Sequence, residues 1–355
     1  MTPVKWVYSF LEKYRYKMAA GLLMVTGIAL LTIVNPYISG RIVDDVITGG
    51  NYKLLPVLIG CLLGVVALKG ILRYASQVMF EICSQGVLYS MRDAVYRKLL
   101  QEDFSFYNKN RTGDLMSRQT GDMDAIRHFI AYIIYSVYEN ILLLSFALIM
   151  IFTVNVKLAL AMLVVLPFTA LTTYGQSKSV RPAFMKIRQQ FSSLNTFVQE
   201  NISGNRVVKA FAREDFEIEK FNKENDAYRD AELNAAAIWK KYVPIFEFLS
   251  NILTVVLMLY GGYMVIQGEI TMGNLVTVNG YLWMLTVPLR MAGWWINDIH
   301  RFTTSAEKIY TTYSQEPEIQ EPQQPIVRKH FHGDVEFKNV SYQAEDADII
   351  HDISF

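Results

Sequence analysis

Charged residues along this chain come in blocks, and six long stretches between the blocks carry almost none. No charge falls between Lys17 and Arg41. Leu54 to Leu68 is uncharged, and the apolar pattern continues through Lys69 and Arg73. Phe129 to Val156 carries only Glu139, and Lys157 to Lys178 encloses another clean run. Tyr242 to Gln267 carries only Glu247, and Ile270 to Leu289 carries nothing charged. A helix crosses a bilayer core with about 20 mostly apolar residues. Lipid satisfies no backbone hydrogen bonds, so a spanning segment has to satisfy its own. The pattern predicts an all-α membrane protein with spans at about 17–40, 54–80, 129–154, 157–178, 243–267 and 273–297.

The loops between these stretches fall into two kinds. Short ones at about Asn155 and Gly268 to Gly273 predict antiparallel hairpins. Long ones are charged and helical in pattern: Leu88, Met91, Val95 and Leu99 recur at helical spacing, with Arg92, Arg97 and Lys98 between them. From Lys178 to Lys241 there is one proline, Pro182, and one glycine, Gly204. Spans two to five are therefore expected to continue past the membrane as paired helices. That last segment holds twelve Lys or Arg, whereas the opposite loops hold only Arg41, Lys53 and Lys157. The excess places the N terminus, both long loops and the C terminus in the cytoplasm.

Composition adds little. The chain is 52% hydrophobic with a formal net charge of +1, which leaves no nucleic-acid footprint. Cys61 and Cys83 are too few for a disulfide framework. The first apolar run is long enough to span and lacks a cleavage-site pattern, so it reads as an anchor. Beyond Gln315 the character changes. Residues 316–333 contain Pro317, Pro322 and Pro325 among Glu and Gln and read as an extended linker. In 334–355, Val335, Phe337 and Val340 alternate with polar residues, and Ile349, Ile350, Ile353 and Phe355 follow, which predicts two short strands. Some twenty residues of strand bury no core, so they read as the opening of a second domain.

Several local patterns occur in a consistent order. Phe106-Tyr107-Asn108 is followed by Arg111-Thr112-Gly113-Asp114-Leu115, Ser117-Arg118 and Asp122. Glu200, Gly204, Arg206-Val207-Val208-Lys209-Ala210-Phe211 and Glu214 follow in the second long loop. Later come Gly268, Thr271, Gly273, Leu275, Pro288-Leu289-Arg290, Ser305-Ala306-Glu307-Lys308-Ile309 and Val335-Glu336-Phe337-Lys338-Asn339-Val340. With Ile42-Val43-Asp44 near the end of the first span, these resemble the membrane domain of an ATP-binding cassette exporter, the six-span half-transporter type. The resemblance covers essentially the whole chain. It implies a membrane domain at 1–315, a linker at 316–333 and the start of a nucleotide-binding domain at 334–355. It also implies a second exporter half as partner, alternating access, an amphipathic drug, lipid or peptide as cargo, and ATP with Mg as cofactors.

The same resemblance makes the two long loops coupling elements that lie against nucleotide-binding domains. Gly113 and Gly204 are expected to free the backbone for the turns, and Asp114 to sit at a helix start, where orphan N–H groups favour a carboxylate. Phe106, Tyr107 and Phe211 offer aromatic surface for docking; ordinary loop turns are the plainer reading. No Gly-x-x-x-x-Gly-Lys-Ser/Thr run occurs, so these residues alone are expected to hydrolyse no ATP. Aligning Val340-Ser341-Tyr342 puts Ala344 where the family stacks an aromatic residue on adenine, with Tyr342 two residues earlier as the candidate. Ala344 tilts the expected partner from an identical half towards a different one.

Charges inside spans cost roughly 2.5–3.5 kcal/mol on insertion scales, so Lys69, Arg73, Glu139 and Glu247 face either a substrate cavity or one another. As cavity residues the carboxylates would favour cationic cargo, and Glu247 is the stronger candidate for that place. Asn279, Trp283, Met284 and Met291 recur at roughly helical spacing on the sixth span, as a cavity lining or as core. An ion-coupled transporter would show broken half-helices and repeated halves, and a membrane scaffold would need no paired loops.

Overall fold

The computed structural model describes residues 2–317, 330, 332–344 and 347–355, with side chains through 343 and from 349. They divide into two compact units: Met1–Leu100 with Asn110–Gln315, and Gln101–Lys109 with Glu316–Phe355.

Among the described residues, five helices of the first unit are long and apolar enough to cross a membrane. They are α1 (Pro3–Thr48), α2 (Tyr52–Gln101, whose last residue joins the second unit), α4 (Thr112–Val154), α5 (Val156–Ser203) and α7 (Glu214–Ile266). Between them lie two six-residue helices, α3 (Phe104–Lys109), in the second unit, and α6 (Asn205–Ala210). A further long helix, α8, runs Met272–Ser314. It is not among the five apolar ones, which departs from the six apolar spans expected. Asn274, Thr277, Asn279 and Thr286 interrupt it, and residues such as Leu275, Val278, Tyr281 and Leu285 are buried by neighbouring helices. A helix surrounded by protein needs less lipid-facing apolar surface. In contrast, the most apolar stretch of α2 has no buried residue.

Side chains close the starts of α1, α5 and α8. Thr2 caps α1 at Lys5 N, and Asn155 Oδ1 accepts from Lys157 N at 2.9 Å to start α5. Gly268, at φ 75°, makes the turn between α7 and α8, and Thr271 Oγ1 accepts from Asn274 N to cap α8. Lys157 Nζ pairs with Glu269 at 3.1 Å, tying the α4–α5 and α7–α8 turns together.

The core has two main clusters. One joins Ile33 of α1, Ala147 and Ile151 of α4, Leu158 and Met162 of α5, Leu253 and Leu257 of α7, and Val278, Tyr281 and Leu285 of α8. The other joins Trp6 and Leu11, Met91 and Val95, Met123 and Ile126, and Phe302 and Ile309. Here Trp6 packs on Tyr313 with ring centroids 4.9 Å apart, and Phe129 stacks on Phe302 at 4.0 Å. Helices α1 and α8 meet backbone to backbone. A Cβ on Gly280 would stand 2.6 Å from Cβ of Pro36, and one on Gly40 would run into Gly273 and Thr277. Tyr281 Oη donates to Ile33 O across the same seam at 3.0 Å.

In the second unit, β1 (Val340–Ala344) and β2 (Ala347–Ile353) pair antiparallel, with Val340 opposite Ile353 and Tyr342 opposite Ile350. Val335 and Phe337 precede the first strand, which starts later than the alternation suggested. Phe337 and Phe355 nonetheless exchange backbone hydrogen bonds of 2.9 and 3.1 Å and stack their rings. The linker expected at 316–333 lies mostly outside the described residues.

The α1–α8 seam yields a stability prediction. Gly280→Val should push the helices apart and cost about 1–3 kcal/mol, the usual range for overpacking. Gly60→Ala, which meets nothing within 4 Å, should leave the melting temperature in detergent unchanged. Equal melting temperatures for the two variants would refute the seam.

Candidate functional sites

The second long loop is built on a helical hairpin. Helices α5 and α7 pack along each other, with Ala231 and Ala235 buried in α7 and Ser179 Oγ 3.2 Å from Tyr242 Oη. At about 1.5 Å per residue the 48 residues of α5 reach roughly 72 Å, more than twice a hydrocarbon core. Helix α6 closes the far end. Gly204 N donates to Glu200 O at 2.7 Å, and Val207 N donates to Gly204 O at 2.8 Å. The left-handed residue of this turn is Ala212, at φ 49°, while Gly204 has φ −89°. Gly113 likewise sits in a helical turn and not in a left-handed one. The freedom expected of the two glycines is therefore not what shapes these turns; the chain reverses where Arg213 N reaches Val208 O.

Lys209 Nζ pairs with Glu214 Oε1 at 2.8 Å, and that hydrogen bond holds the Glu214 carboxyl below its usual range. Asn201 Nδ2 donates to Glu217 across the hairpin. These contacts order the tip, yet Phe211 is 73% exposed, and Val207 and Ile202 are exposed beside it in sequence. Arg206 and Ala210 are also exposed, and Val208 is half-buried. Sequence reasoning did not single out Val207 and Ile202 as surface residues, because apolar residues such as Phe197, Val198, Val208 and Phe216 recur through the same arm.

The first long loop divides between the two units. In the second unit, Asp103 Oδ1 accepts from Phe106 N at 3.0 Å and from Ser105 Oγ, starting α3. Phe106 is buried, at 2% exposure, and meets Tyr107 edge-on at 5.3 Å; Tyr107 and Asn108 are exposed. Of the two aromatic neighbours, Tyr107 is the one at the surface. In the first unit, Arg111 is extended and exposed, Thr112 opens α4, and Asp114 stands in its first turn, as expected of a carboxylate there.

Within the spans, Arg73 of α2 and Glu139 of α4 form a two-pronged ion pair, with N to O distances of 2.8 and 2.5 Å. Their side chains are 37% and 9% exposed. Lys69, one turn earlier, is half-buried and has no ion pair among the described residues. Glu247 is exposed on α7. On α8, Asn279 and Trp283 share an exposed face, whereas Met284 is buried in the core. Tyr342 is exposed on β1, and the side chain of Ala344 lies outside those described.

Residues 18–289 match the family described as the ABC transporter transmembrane region. The chain belongs to this family. It is 35% identical over 348 residues to the uncharacterized ABC transporter ATP-binding protein YknU of Bacillus subtilis, covering 96% of this chain and 59% of that protein. It is 25% identical to an ATP-dependent lipid A-core flippase of Syntrophus aciditrophicus, covering 96% of this chain and 56% of the flippase. A probable multidrug resistance ABC transporter ATP-binding/permease protein of Bacillus subtilis, YheI, is 27% identical over 98% of this chain and 60% of its own length. The chain thus spans less than two thirds of these relatives.

Other sequence patterns of this ABC transporter domain prove to be clasps between helices. Asp44 of α1 accepts from Gly273 N at 2.7 Å and from Thr271 Oγ1, sealing α1 to the start of α8. At the opposite end, Ser305 Oγ donates to Asp122 at 2.7 Å, and Arg118 donates to Thr312. A π-helical turn at Arg118–Asp122 carries both α4 residues of that second clasp.

The ion pair gives the next prediction. Glu139→Gln strands the Arg73 guanidinium and should cost about 3 kcal/mol, the low end for a broken buried pair because Arg73 is partly exposed. The double variant Arg73→Gln/Glu139→Gln should recover most of the melting temperature in detergent. No recovery in the double variant would argue against the pairing.

Proposed function

We propose that this chain is the transmembrane half of an ATP-driven exporter that moves an amphipathic drug, lipid or peptide out of the cytoplasm by alternating access. The match of residues 18–289 to the ABC transporter transmembrane region carries this reading. The relatives named as a lipid flippase and a multidrug transporter support the cargo class. In this reading α8 is the sixth crossing, and residues 1–315, 316–333 and 334–355 are membrane domain, linker and the start of a nucleotide-binding domain. ATP and Mg act on that nucleotide-binding domain, and both termini are cytoplasmic. A second exporter half completes the assembly, with Ala344 favouring an unlike half.

The two loop tips are the coupling elements. The aromatic exposure of Phe211 on a hairpin tip, with Tyr107 in the other loop, supports this role, since exposed aromatic anchors dominate docking energetics. Phe106, Asn108, Arg111, Thr112, Gly113 and Asp114 shape the first tip. Gly204, Arg206, Val208, Lys209, Ala210 and Glu214 shape the second.

In the full-length protein, Phe211→Ala should lose roughly 2 kcal/mol of docking free energy. Substrate-stimulated ATPase should fall accordingly, and Tyr107→Ala should do the same. Nucleotide affinity, measured with a fluorescent ATP analogue, should not change, because neither residue touches a phosphate. Full stimulation in both variants would remove the tips from coupling.

A further inference from the structure

A cavity of about 740 Å³ opens between α5, α7 and α8. Its volume is that of a drug-sized ligand site. Three arginines line it, Arg181 and Arg188 from α5 and Arg290 from α8, together with His300. No Asp or Glu is among the lining residues. None of the three guanidiniums has a hydrogen bond or ion pair among the described residues. Guanidiniums are strong donors without internal acceptors, and their planar forks suit phosphate and carboxylate oxygens. Between them Phe184, Phe191, Trp239 and Trp294 supply rings and Val180 and Ile296 aliphatic surface, beside the polar Gln176, Ser177 and Asn297.

The position along the helices adds a second argument. The lining crosses the end of the uncharged run of α5, from Thr173 past Lys178 to Arg188, and continues from Arg290 to His300 past that of α8. Tryptophans and arginines at such ends, here Arg181, Arg290 and Trp294, lie at headgroup depth, and Arg188 stands about 15 Å past Lys178 on the aqueous side. A molecule with acyl or aromatic bulk in the bilayer and an anionic head at this depth meets rings along its body and guanidiniums at its head. A cation meets uncompensated positive charge instead. Among the described residues Glu139 is the buried span carboxylate, and it is paired with Arg73.

We propose that this cavity receives the cargo head and selects anionic amphipaths, phosphorylated or carboxylated lipid-like molecules, over cationic ones. The proposal rests on the exporter reading for its cargo role, but the binding preference stands on the cavity alone.

The test uses the full-length protein in phosphatidylcholine nanodiscs, with binding read by quenching of tryptophan fluorescence. Three probes share one acyl chain: a short-chain phosphatidic acid, the matching phosphatidylcholine and an alkyltrimethylammonium. Inorganic phosphate is the fourth. The phosphatidic acid should bind at least about tenfold more tightly than either lipid-like competitor, and phosphate alone should bind weakly, because the apolar body supplies much of the affinity. Arg188→Gln and Arg290→Gln should each weaken phosphatidic acid binding about tenfold while leaving phosphatidylcholine binding unchanged. Lys178→Gln, outside the cavity lining, is the control for general surface charge. Equal binding of the cationic probe, or an equal loss in the control, would overturn the proposal. Tight binding of phosphate alone would make this a free-anion site and would also overturn it. Stimulation of ATPase by the same probes separates the two readings. Anion-selective binding without ATPase activity keeps the cavity and sinks the exporter reading. Export with cationic preference does the reverse.

Discussion

A peptide group in hydrocarbon has no water to bond with, and that constraint organises the first unit. Each apolar run becomes part of a long helix that satisfies its own backbone, with π-helical turns at Phe129–Ile133 and Leu257–Gly261 inside two of them. Some helix starts are closed by side chains. Asn155 starts α5, Thr271 starts α8, and Asp44 accepts from Gly273 N across the α1–α8 seam. Helices so constrained differ mainly in how closely they approach. At Pro36, Gly40, Gly273 and Gly280 the approach is near enough that a side chain on any of these glycines would displace α8 from α1. Small residues permit that kind of close helix packing in membranes.

The same low-dielectric setting decides where charge sits. Glu139 is almost fully buried and is answered by Arg73 in a bidentate pair, so a costly carboxylate becomes a link between α2 and α4. Glu247 is exposed on α7 and has no ion pair among the described residues. Three further guanidiniums without a partner among the described residues, Arg181, Arg188 and Arg290, lie farther along α5 and α8 and share a cavity without acidic lining.

The α5–α7 hairpin is constructed differently from the rest. Away from the core its two helices bury small residues such as Ala231 and Ala235 against one another and leave Phe184, Phe191, Phe216 and Ile218 exposed. An element held by one neighbour opens or shifts at lower cost than one held on several sides. Its tip is ordered locally by the Lys209–Glu214 pair and the Asn201–Glu217 bond. In the proposed exporter a long hairpin with such an ordered tip would transmit movement between domains.

Much of this was legible in the chain itself. Runs free of charge located the helices, because insertion into lipid is governed by local composition. Ordered motif patterns pointed to the ABC transporter family, and Asp114 was placed in a first helical turn by its own local chemistry. Tertiary structure decided what depends on distant neighbours. It chose Arg73 and not Lys69 as partner of Glu139, since one helical turn and the approach of α4 separate those options. It buried Met284 while leaving Trp283 exposed, because the face α8 turns to α1 and α4 is set by packing and not by residue type. It put the left-handed turn at Ala212 and not at Gly204. It also brought arginines from α5 and α8 to one cavity, although about a hundred residues separate them along the chain. Local composition fixes which segments become helices; only their mutual packing fixes which side chains meet.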